Sequence, residues 1–211
     1  MSKNMIYTII ALVVILLLWT AWGFFSSRVE QADYTVSKKM NGYEIRQYPS
    51  HLVAQTKIKG SYRESMNSGF TILAGYIFGG NVKKEGIAMT APVTEQKAVS
   101  ENIAMTTPVL VDIEGEERVI SFSMPRSYTL ETLPIPNDNR VKIVEVPPQK
   151  IAAIVFSGYR TDDKIEKMKK LLMTKLSEDK VEIIGTPIYA GYNGPGTPPW
   201  MTRNEVMVEI K

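Results

Sequence analysis

Tyr43-Glu-Ile-Arg-Gln-Tyr-Pro49 returns 98 positions later as Val141-Lys-Ile-Val-Glu-Val-Pro147, and this repeat decides the predicted fold. Apolar and polar residues alternate in both copies, as in a strand with one buried face, and each copy closes at a proline, which cannot donate to a ladder. Gly60 and Gly158 continue the match at the same offset. We therefore predict an internal duplication, with two strand–strand–helix–strands halves related by a pseudo-twofold axis.

One amphipathic helix is predicted in each half. Ser61 and Glu64 form a capping box before the first helix, and Thr161 caps the second. The first apolar stripe comprises Tyr62, Met66, Phe70, Leu73 and Ile77, and the second Ile165, Met168, Leu172 and Leu176. Gly69 and Gly75 lower the propensity of the first helix, so we interpret them as points of close approach. The strands are expected to form one curved antiparallel sheet or open barrel, with a cleft between the halves.

A second, local echo lies within the first half. Ile87-Ala-Met-Thr-Ala-Pro-Val93 is followed 16 positions later by Ile103-Ala-Met-Thr-Thr-Pro-Val109. Because β-branched residues favour strands and proline is confined to edges, ends or bulges, we interpret the copies as a hairpin beside the first helix. Met89 and Met105 would then offer adaptable apolar surface to a cleft wall; the alternative is that they belong to the core. Further strands are predicted over 118–124, 151–157, 181–190 and 205–210.

The first residues predict a membrane anchor. Residues 6–25 are a run of twenty without a charge, long enough to span a bilayer core, and Trp19 and Trp22 near its end are typical of interfacial anchors. A cleaved signal peptide is the alternative, but no Ala-x-Ala site follows. Lys3 in the short N-terminal tail favours a single-pass topology with the following domain outside the cytoplasm.

This divides the chain into a tail (1–5), an anchor (6–25), an irregular polar tether (26–37) and one domain (38–211), whose halves cover about 38–125 and 141–211.

Composition excludes several kinds of site. The chain has no cysteine and one histidine, which removes disulfides, thiolate chemistry and cysteine-type metal sites. The net charge is only +3 and no basic stripe interleaves with aromatics, so nucleic acid is not an expected partner. No Gly-x-Ser-x-Gly elbow is present, and we predict that the protein is not an enzyme.

Several motifs resemble those of the SOUL family of haem-binding proteins. They are Tyr43-Glu-Ile-Arg-x-Tyr48, Gly69-Phe-x-x-Leu-Ala-Gly-Tyr-Ile77 with Gly80-Asn81, Ile87-Ala-Met-Thr-Ala-Pro-Val93, Phe122-Ser-Met-Pro125, Phe156-Ser-Gly158, Tyr192-Asn193 and Arg203-Asn-Glu-Val206. The resemblance covers about residues 34–211. It implies an α+β fold, a distorted antiparallel β-barrel of two pseudo-twofold βαββ halves flanked by two helices, here preceded by one N-terminal transmembrane helix.

The resemblance also implies a ligand, haem or a related tetrapyrrole, held in an apolar cleft beside the first helix. The matching contacts here are Met66, Phe70 and Leu73, with Arg63 near enough to pair with a propionate. Met89 and Met105 are candidates for the cleft wall.

His51, the one histidine, is the one candidate for a strong nitrogen ligand to iron, with an exposed polar residue at a strand start as the alternative.

We therefore predict a membrane-tethered carrier, buffer or sensor of haem, with the lipid bilayer as its partner through residues 6–25. Two alternatives remain open: a module that binds another small hydrophobic ligand or a protein partner, and an enzyme of tetrapyrrole turnover.

Overall fold

The structure is a computed structural model that describes residues 2–26, 30–60, 62–83, 100–114, 117–194 and 196–211. Its helices are α1 (Lys3–Ser26), α2 (Tyr62–Ile77) and α3 (Asp162–Glu178), with a 3-10 turn at Pro199–Met201. Its strands are β1 (Glu30–Gln31), β2 (Thr35–Lys39), β3 (Glu44–Tyr48), β4 (His51–Lys59), β5 (Asn81–Val82), β6 (Thr106–Thr107), β7 (Val109–Glu114), β8 (Glu117–Ser123), β9 (Ile135–Pro136), β10 (Lys142–Val146), β11 (Gln149–Phe156), β12 (Ile188–Gly191) and β13 (Asn204–Glu209).

Nine of these strands form one curled antiparallel sheet in the order β10-β4-β8-β7-β12-β13-β11-β3-β2. The order is symmetric about the β7–β12 pair. On one side lie β7, β8, β4 and β10, and on the other side lie their equivalents β12, β13, β11 and β3. Strands β10 and β3 therefore each pair with a strand from the other half of the chain. Within the described ranges the edge strands β10 and β2 do not pair with each other, so the barrel stays open. The predicted α+β fold of two βαββ halves is confirmed. The symmetric order is what a duplication would produce, and the duplication itself stays a prediction.

The two long helices of the domain cover one face of the sheet, one on each half. Leu73 and Ile77 of α2 lie in a buried cluster with Phe122 of β8. Leu172 and Leu176 of α3 lie in a second cluster with residues of β11 and β13. Full burial of each such side chain contributes about 1.5–3 kcal/mol, so the apolar stripes fix which face of each helix meets the sheet.

The predicted cap of the second helix is confirmed. Thr161 has extended backbone angles, and its side chain accepts a hydrogen bond from the Lys164 amide at 3.3 Å. Asp162 and Asp163 occupy the first turn, where a negative charge is stabilised by the helix dipole. Helix α3 therefore begins where the sequence places its start.

The two glycines of α2 differ in their surroundings. A Cβ added at Gly69 would lie 2.9 Å from Ile120 Cγ1, so this glycine lets the helix approach β8 closely. A Cβ added at Gly75 would meet nothing within 4 Å. The prediction that a glycine permits close approach to the helix is therefore confirmed at Gly69. It is wrong at Gly75, which faces open space.

Three predicted segments are corrected. Residues 26–37 are not an irregular tether throughout, because β1 and most of β2 lie in this range. All five residues of β2 are exposed at the sheet edge, so the strand has no apolar alternation to reveal it. The strand predicted over 181–190 is short, since only β12 and an isolated bridge at Ile183 form there. Of the predicted hairpin, residues 87–96 lie outside the described residues, and the second arm is divided into β6 and β7.

Helix α1 is apolar over most of its length. The segment Lys3–Phe24 has a mean hydropathy of 2.4 and is long enough to cross a membrane or to act as a signal sequence. It is the one such helix among the described residues. The helix is a few residues longer than the predicted anchor, residues 6–25, because neighbouring polar residues continue the same backbone hydrogen bonding.

Candidate ligand site

The predicted contacts on α2 belong mainly to the core. Leu73 is fully buried, and the Phe70 ring packs edge-on against Phe122 with centroids 5.2 Å apart. Met66 and Met105 are half-buried and pack against the same cluster. Met66 also contacts a cluster of Val111, Ile165 and Tyr189, between the two halves. The side chain of Arg63 and the whole of Met89 lie outside the described residues.

The predicted α2 contacts and His51 are not brought together. His51 lines a cavity of about 420 Å³, a size within the ordinary range of ligand pockets, and none of Met66, Phe70, Leu73 and Met105 lines it. The cavity lies where β4 begins and β8 ends. Its wall comprises residues 30–33, 49–52, 106, 123–126, 128–131 and 145. Sequence reasoning missed most of this wall, because it joins segments that are far apart in the chain.

The imidazole of His51 has a defined tautomer. Its Nδ1 lies 3.1 Å from the carbonyl oxygen of Pro49. A carbonyl oxygen only accepts, so Nδ1 carries the proton and donates in the neutral ring, which leaves Nε2 with its lone pair. A backbone acceptor on one ring nitrogen is the usual support for a histidine that binds metal through the other.

The charges of the wall are mostly negative. Four carboxylates line the cavity, from Glu30, Asp33, Glu131 and Glu145. Of the described wall residues one is a guanidinium, Arg126, and it pairs with Glu30 at 3.3 Å and with Asp33. Glu145 accepts a hydrogen bond from the Ser50 hydroxyl at 2.7 Å. The cavity therefore favours a neutral or cationic group over an anion.

One wall residue carries a hydroxyl without a partner. Ser123 is 4% exposed, and its side-chain oxygen has no hydrogen-bond partner among the described residues. A buried hydroxyl left unsatisfied costs about 1–3 kcal/mol.

The residues fit haem in part. The imidazole of His51 would hold iron through Nε2, since its Nδ1 faces the Pro49 carbonyl oxygen, and no group of three His, Cys, Asp or Glu residues in the described ranges could hold a free metal ion. The four carboxylates do not fit propionates inside the cavity. Haem bound here would keep its propionates outside.

A polar network lies inside the sheet and reaches the cavity wall through Gln31, which accepts a hydrogen bond from Arg203 at 2.8 Å. Arg46 Nη1 donates to Glu205 Oε2 at 2.7 Å, and Arg203 Nη2 donates to Glu205 Oε1 at 2.6 Å. The Tyr192 hydroxyl donates to Glu205 Oε2 at 2.8 Å, and burial, together with the Glu205 charge, raises the pKa of this tyrosine well above its ordinary value. Glu44 accepts from Arg46 at 2.9 Å, so two cations meet two anions.

This network was not predicted as a unit. Arg46 and Glu205 both lie in strings quoted for the family resemblance, but they stand 159 residues apart. The sequence did offer one signal, because Arg46 and Glu205 each stand among apolar residues of a strand, where a charged residue is buried only with a partner. The network joins β3 to β13 and to Tyr192, which directly follows β12.

A second cavity of about 230 Å³ lies between α3 and the sheet. Its wall comprises Val111, Arg118, Asp162, Ile165, Glu166, Lys169 and Tyr189. It is smaller than the ordinary range of ligand pockets, and we assign no ligand to it.

Comparison with solved structures supports the fold. The chain is similar to the C-terminal domain of EcmrR, with a TM-score of 0.56, 10% identity, and coverage of 84% of this chain and 98% of that one. It is also similar to EcmrR in a cryo-EM structure of its DNA complex, with a TM-score of 0.53, 11% identity, and coverage of 80% and 57%. At this identity the likeness concerns the fold alone.

Comparison of sequences identifies the family. The chain is 26% identical to "Heme-binding protein 1" of Xenopus laevis over 165 residues, 78% of this chain and 81% of that one. It is 28% identical to "Heme-binding protein 2" of Homo sapiens over 156 residues, 72% of this chain and 71% of that one. The family model described as SOUL heme-binding protein matches residues 29–209, from β1 to the last strand. The chain therefore belongs to the SOUL heme-binding protein family.

Proposed function

We propose that this protein is a membrane-tethered, non-catalytic binder of haem or a related tetrapyrrole that acts as a carrier, buffer or sensor. The observation that carries the proposal is the family match over residues 29–209, which covers the whole sheet and both helices packed on it. The structure adds a cavity of about 420 Å³ with one imidazole in its wall.

We place the ligand in the His51 cavity. His51 would hold the iron of the ligand through Nε2. When bound, haem supplies an iron that takes such a nitrogen ligand. The four carboxylates of the wall keep the propionates in solvent, because like charges at close range repel strongly in a partly buried site.

Helix α1 serves as an uncleaved single-pass anchor in this proposal, with the domain outside the cytoplasm. Its length and hydropathy support the anchor, and Lys3 on the short side supports the orientation. The natural absence of cysteine allows a test: Lys211→Cys is treated with a membrane-impermeant thiol reagent on intact cells. Labelling is expected, and labelling only after lysis would place the domain in the cytoplasm.

Hemin titration of the full chain in detergent micelles tests the ligand. We expect a saturable Soret shift with one hemin per chain. His51→Ala should change the spectrum of the bound form and weaken binding, whereas Gln47→Ala, an exposed residue of β3 outside the cavity wall, should change neither. A Soret shift that is absent, or that grows without saturation, would refute haem as the ligand.

A second candidate follows from the charges of the wall. Four carboxylates and one guanidinium line the cavity, and this excess of negative charge favours a small ligand that lacks carboxylates. Titration with protoporphyrin IX and with its dimethyl ester tests whether the cavity excludes propionates or binds no tetrapyrrole. Tighter binding of the ester than of the free acid supports propionate exclusion, and failure of hemin and both porphyrins to bind would favour a ligand of another class.

A further inference from the structure

The three tryptophans of the chain meet at one place. Trp19 and Trp22 lie near the end of α1, and Trp200 lies in the 3-10 turn at Pro199–Met201. The Trp19 indole N–H donates to the carbonyl oxygen of Gly196 at 2.7 Å. The rings of Trp19 and Trp200 pack edge to face with centroids 5.3 Å apart. Trp19 and Trp200 thus pack against each other although they lie near opposite ends of the chain.

A glycine on α1 makes this contact close. Gly23 is buried, and a Cβ added to it would lie 2.7 Å from Pro198 Cδ and 3.2 Å from Met201 Sδ. The other face of the helix stays open, since Ala21 is exposed. The end of α1 therefore packs against the turn at Gly23, the one glycine of the helix.

The turn is fixed to the sheet. The Pro199 carbonyl oxygen accepts from the Gly158 amide at 2.8 Å and from the Thr202 hydroxyl at 2.8 Å. The Gly158 amide also donates to Thr202 Oγ1 at 2.9 Å. Gly158 follows β11 and Thr202 precedes β13, so these hydrogen bonds hold the turn in a fixed position relative to the sheet.

The tryptophans lie one bilayer core away from the start of α1. At 1.5 Å per residue, Trp22 is about 29 Å along the axis from Lys3, which matches a hydrocarbon core of about 30 Å. Their rings remain partly open, with exposed fractions of 65% for Trp22 and 54% for Trp200. Tyr159, beside Gly158, is 72% exposed. Exposed Trp and Tyr at this depth are typical of the membrane–water interface.

We propose that the turn at Pro199–Met201 is a second membrane contact, with Trp200 at the same interface as Trp19 and Trp22, so that the domain is held against the bilayer in one orientation. The partner is the headgroup region of the leaflet into which α1 emerges. The proposal rests on the anchor of the proposed function and is independent of haem binding.

The test uses the small number of tryptophans. In Trp19→Phe/Trp22→Phe, Trp200 is the sole tryptophan of the full chain, which is reconstituted into phosphatidylcholine vesicles. We expect its fluorescence to be quenched by lipids brominated near the headgroup and protected from aqueous iodide. The control is Lys211→Trp in a background with all three tryptophans replaced by Phe, because Lys211 lies at the other end of β13 and is exposed. The fluorescence of the tryptophan introduced by Lys211→Trp should be quenched by iodide and not by the brominated lipids.

A second measurement leaves α1 intact. The difference in quenching between the parent and Trp200→Phe reports Trp200 with its partner Trp19 in place. Gly23→Leu should expose Trp200 to iodide by pushing Pro198 away, whereas Ala21→Leu places the same side chain on the open face and should not. Quenching of Trp200 by iodide to the level of Lys211→Trp would overturn the proposal.

Two further outcomes would also overturn it. Protection of Trp200 from both quenchers means that protein, and not lipid, covers the turn. Failure of the chain to float with the vesicles overturns the anchor together with this contact, while hemin titration of the same sample reports the ligand separately.

Discussion

Arg46 and Glu205 form an ion pair inside the sheet, 2.7 Å apart, with side-chain exposures of 1% and 0%. They reach each other across β11, which pairs with β3 on one side and with β13 on the other. On β11 the register places Ile151 opposite Arg46 and Val155 opposite Glu205, with the buried Ala153 between them on the same face. The pair therefore depends on sheet order and register together.

Removal of this carboxylate should destabilise the protein strongly. Glu205→Gln removes the carboxylate that Arg46 and Arg203 share and leaves Arg46 with the half-buried Glu44, and we expect a loss of about 3–5 kcal/mol in the free energy of unfolding. Urea unfolding followed by near-ultraviolet circular dichroism measures it. Glu209→Gln, on the same strand but half-exposed, should change stability by less than about 0.5 kcal/mol. Equal effects of the two substitutions would contradict a structural role of the pair.

Stability should fall at alkaline pH in part through Tyr43. Burial and the hydrogen bond that its hydroxyl donates to Asp179 at 2.8 Å raise the pKa of Tyr43 to about 12. The unfolded phenol titrates near pH 10, so between about pH 10 and 12 the folded state binds more protons and unfolding becomes easier as pH rises.

Tyr43→Phe should make this decline shallower, by at most about 1.4 kcal/mol per pH unit. At neutral pH the same substitution should cost about 1 kcal/mol, the net value of one hydrogen bond. Asp179→Asn keeps the phenol but removes its charged partner. Its loss of stability with rising pH should be shallower than that of the parent protein and steeper than that of Tyr43→Phe. A decline in Tyr43→Phe as steep as that of the parent protein would show that other groups cause it.

Two glycines in one helix should respond in opposite ways to alanine. Gly69→Ala places a methyl group 2.9 Å from Ile120, and we expect a loss of about 1–3 kcal/mol from overpacking. Gly75→Ala meets open space and should gain up to about 1 kcal/mol from helix propensity. Thermal unfolding of both variants provides the comparison. Destabilisation of both would mean that Gly75 also faces a neighbour.

Met66 distinguishes the two places where haem could bind. With haem in the His51 cavity, Met66→Ala should leave hemin affinity within about twofold, because a change below about 0.4 kcal/mol is expected for a residue that does not touch the ligand. It should still cost about 2 kcal/mol of stability, as a half-buried core methionine. A tenfold loss of affinity with an unchanged effect of His51→Ala would move the ligand to the α2 face that the family resemblance implies.

The helices and the matching strands follow from the sequence. The apolar stripes of α2 and α3, the Thr161 cap and the equivalence of β3 and β10 depend on residues within a few turns of one another, where local backbone periodicity decides which side is buried. The open barrel and its symmetric order were accessible for the same reason, since each half carries the same order of elements.

The candidate site depends on tertiary structure. Leu73 and Phe70 share one stripe with Met66, but only the sheet beneath them shows that two of these face Ile120 and Phe122 and not a ligand. His51 reads as an exposed strand start until residues 30–33 and 123–131 are brought around it.

The sequence by itself determined the three helices, the long strands that alternate in polarity and the family, because short-range spacing encodes them. Only the tertiary structure decided the cavity, the Arg46–Glu205 pair and the seating of α1 on Pro198. Each of these joins segments about 100 or more residues apart, through a register that local pattern does not contain.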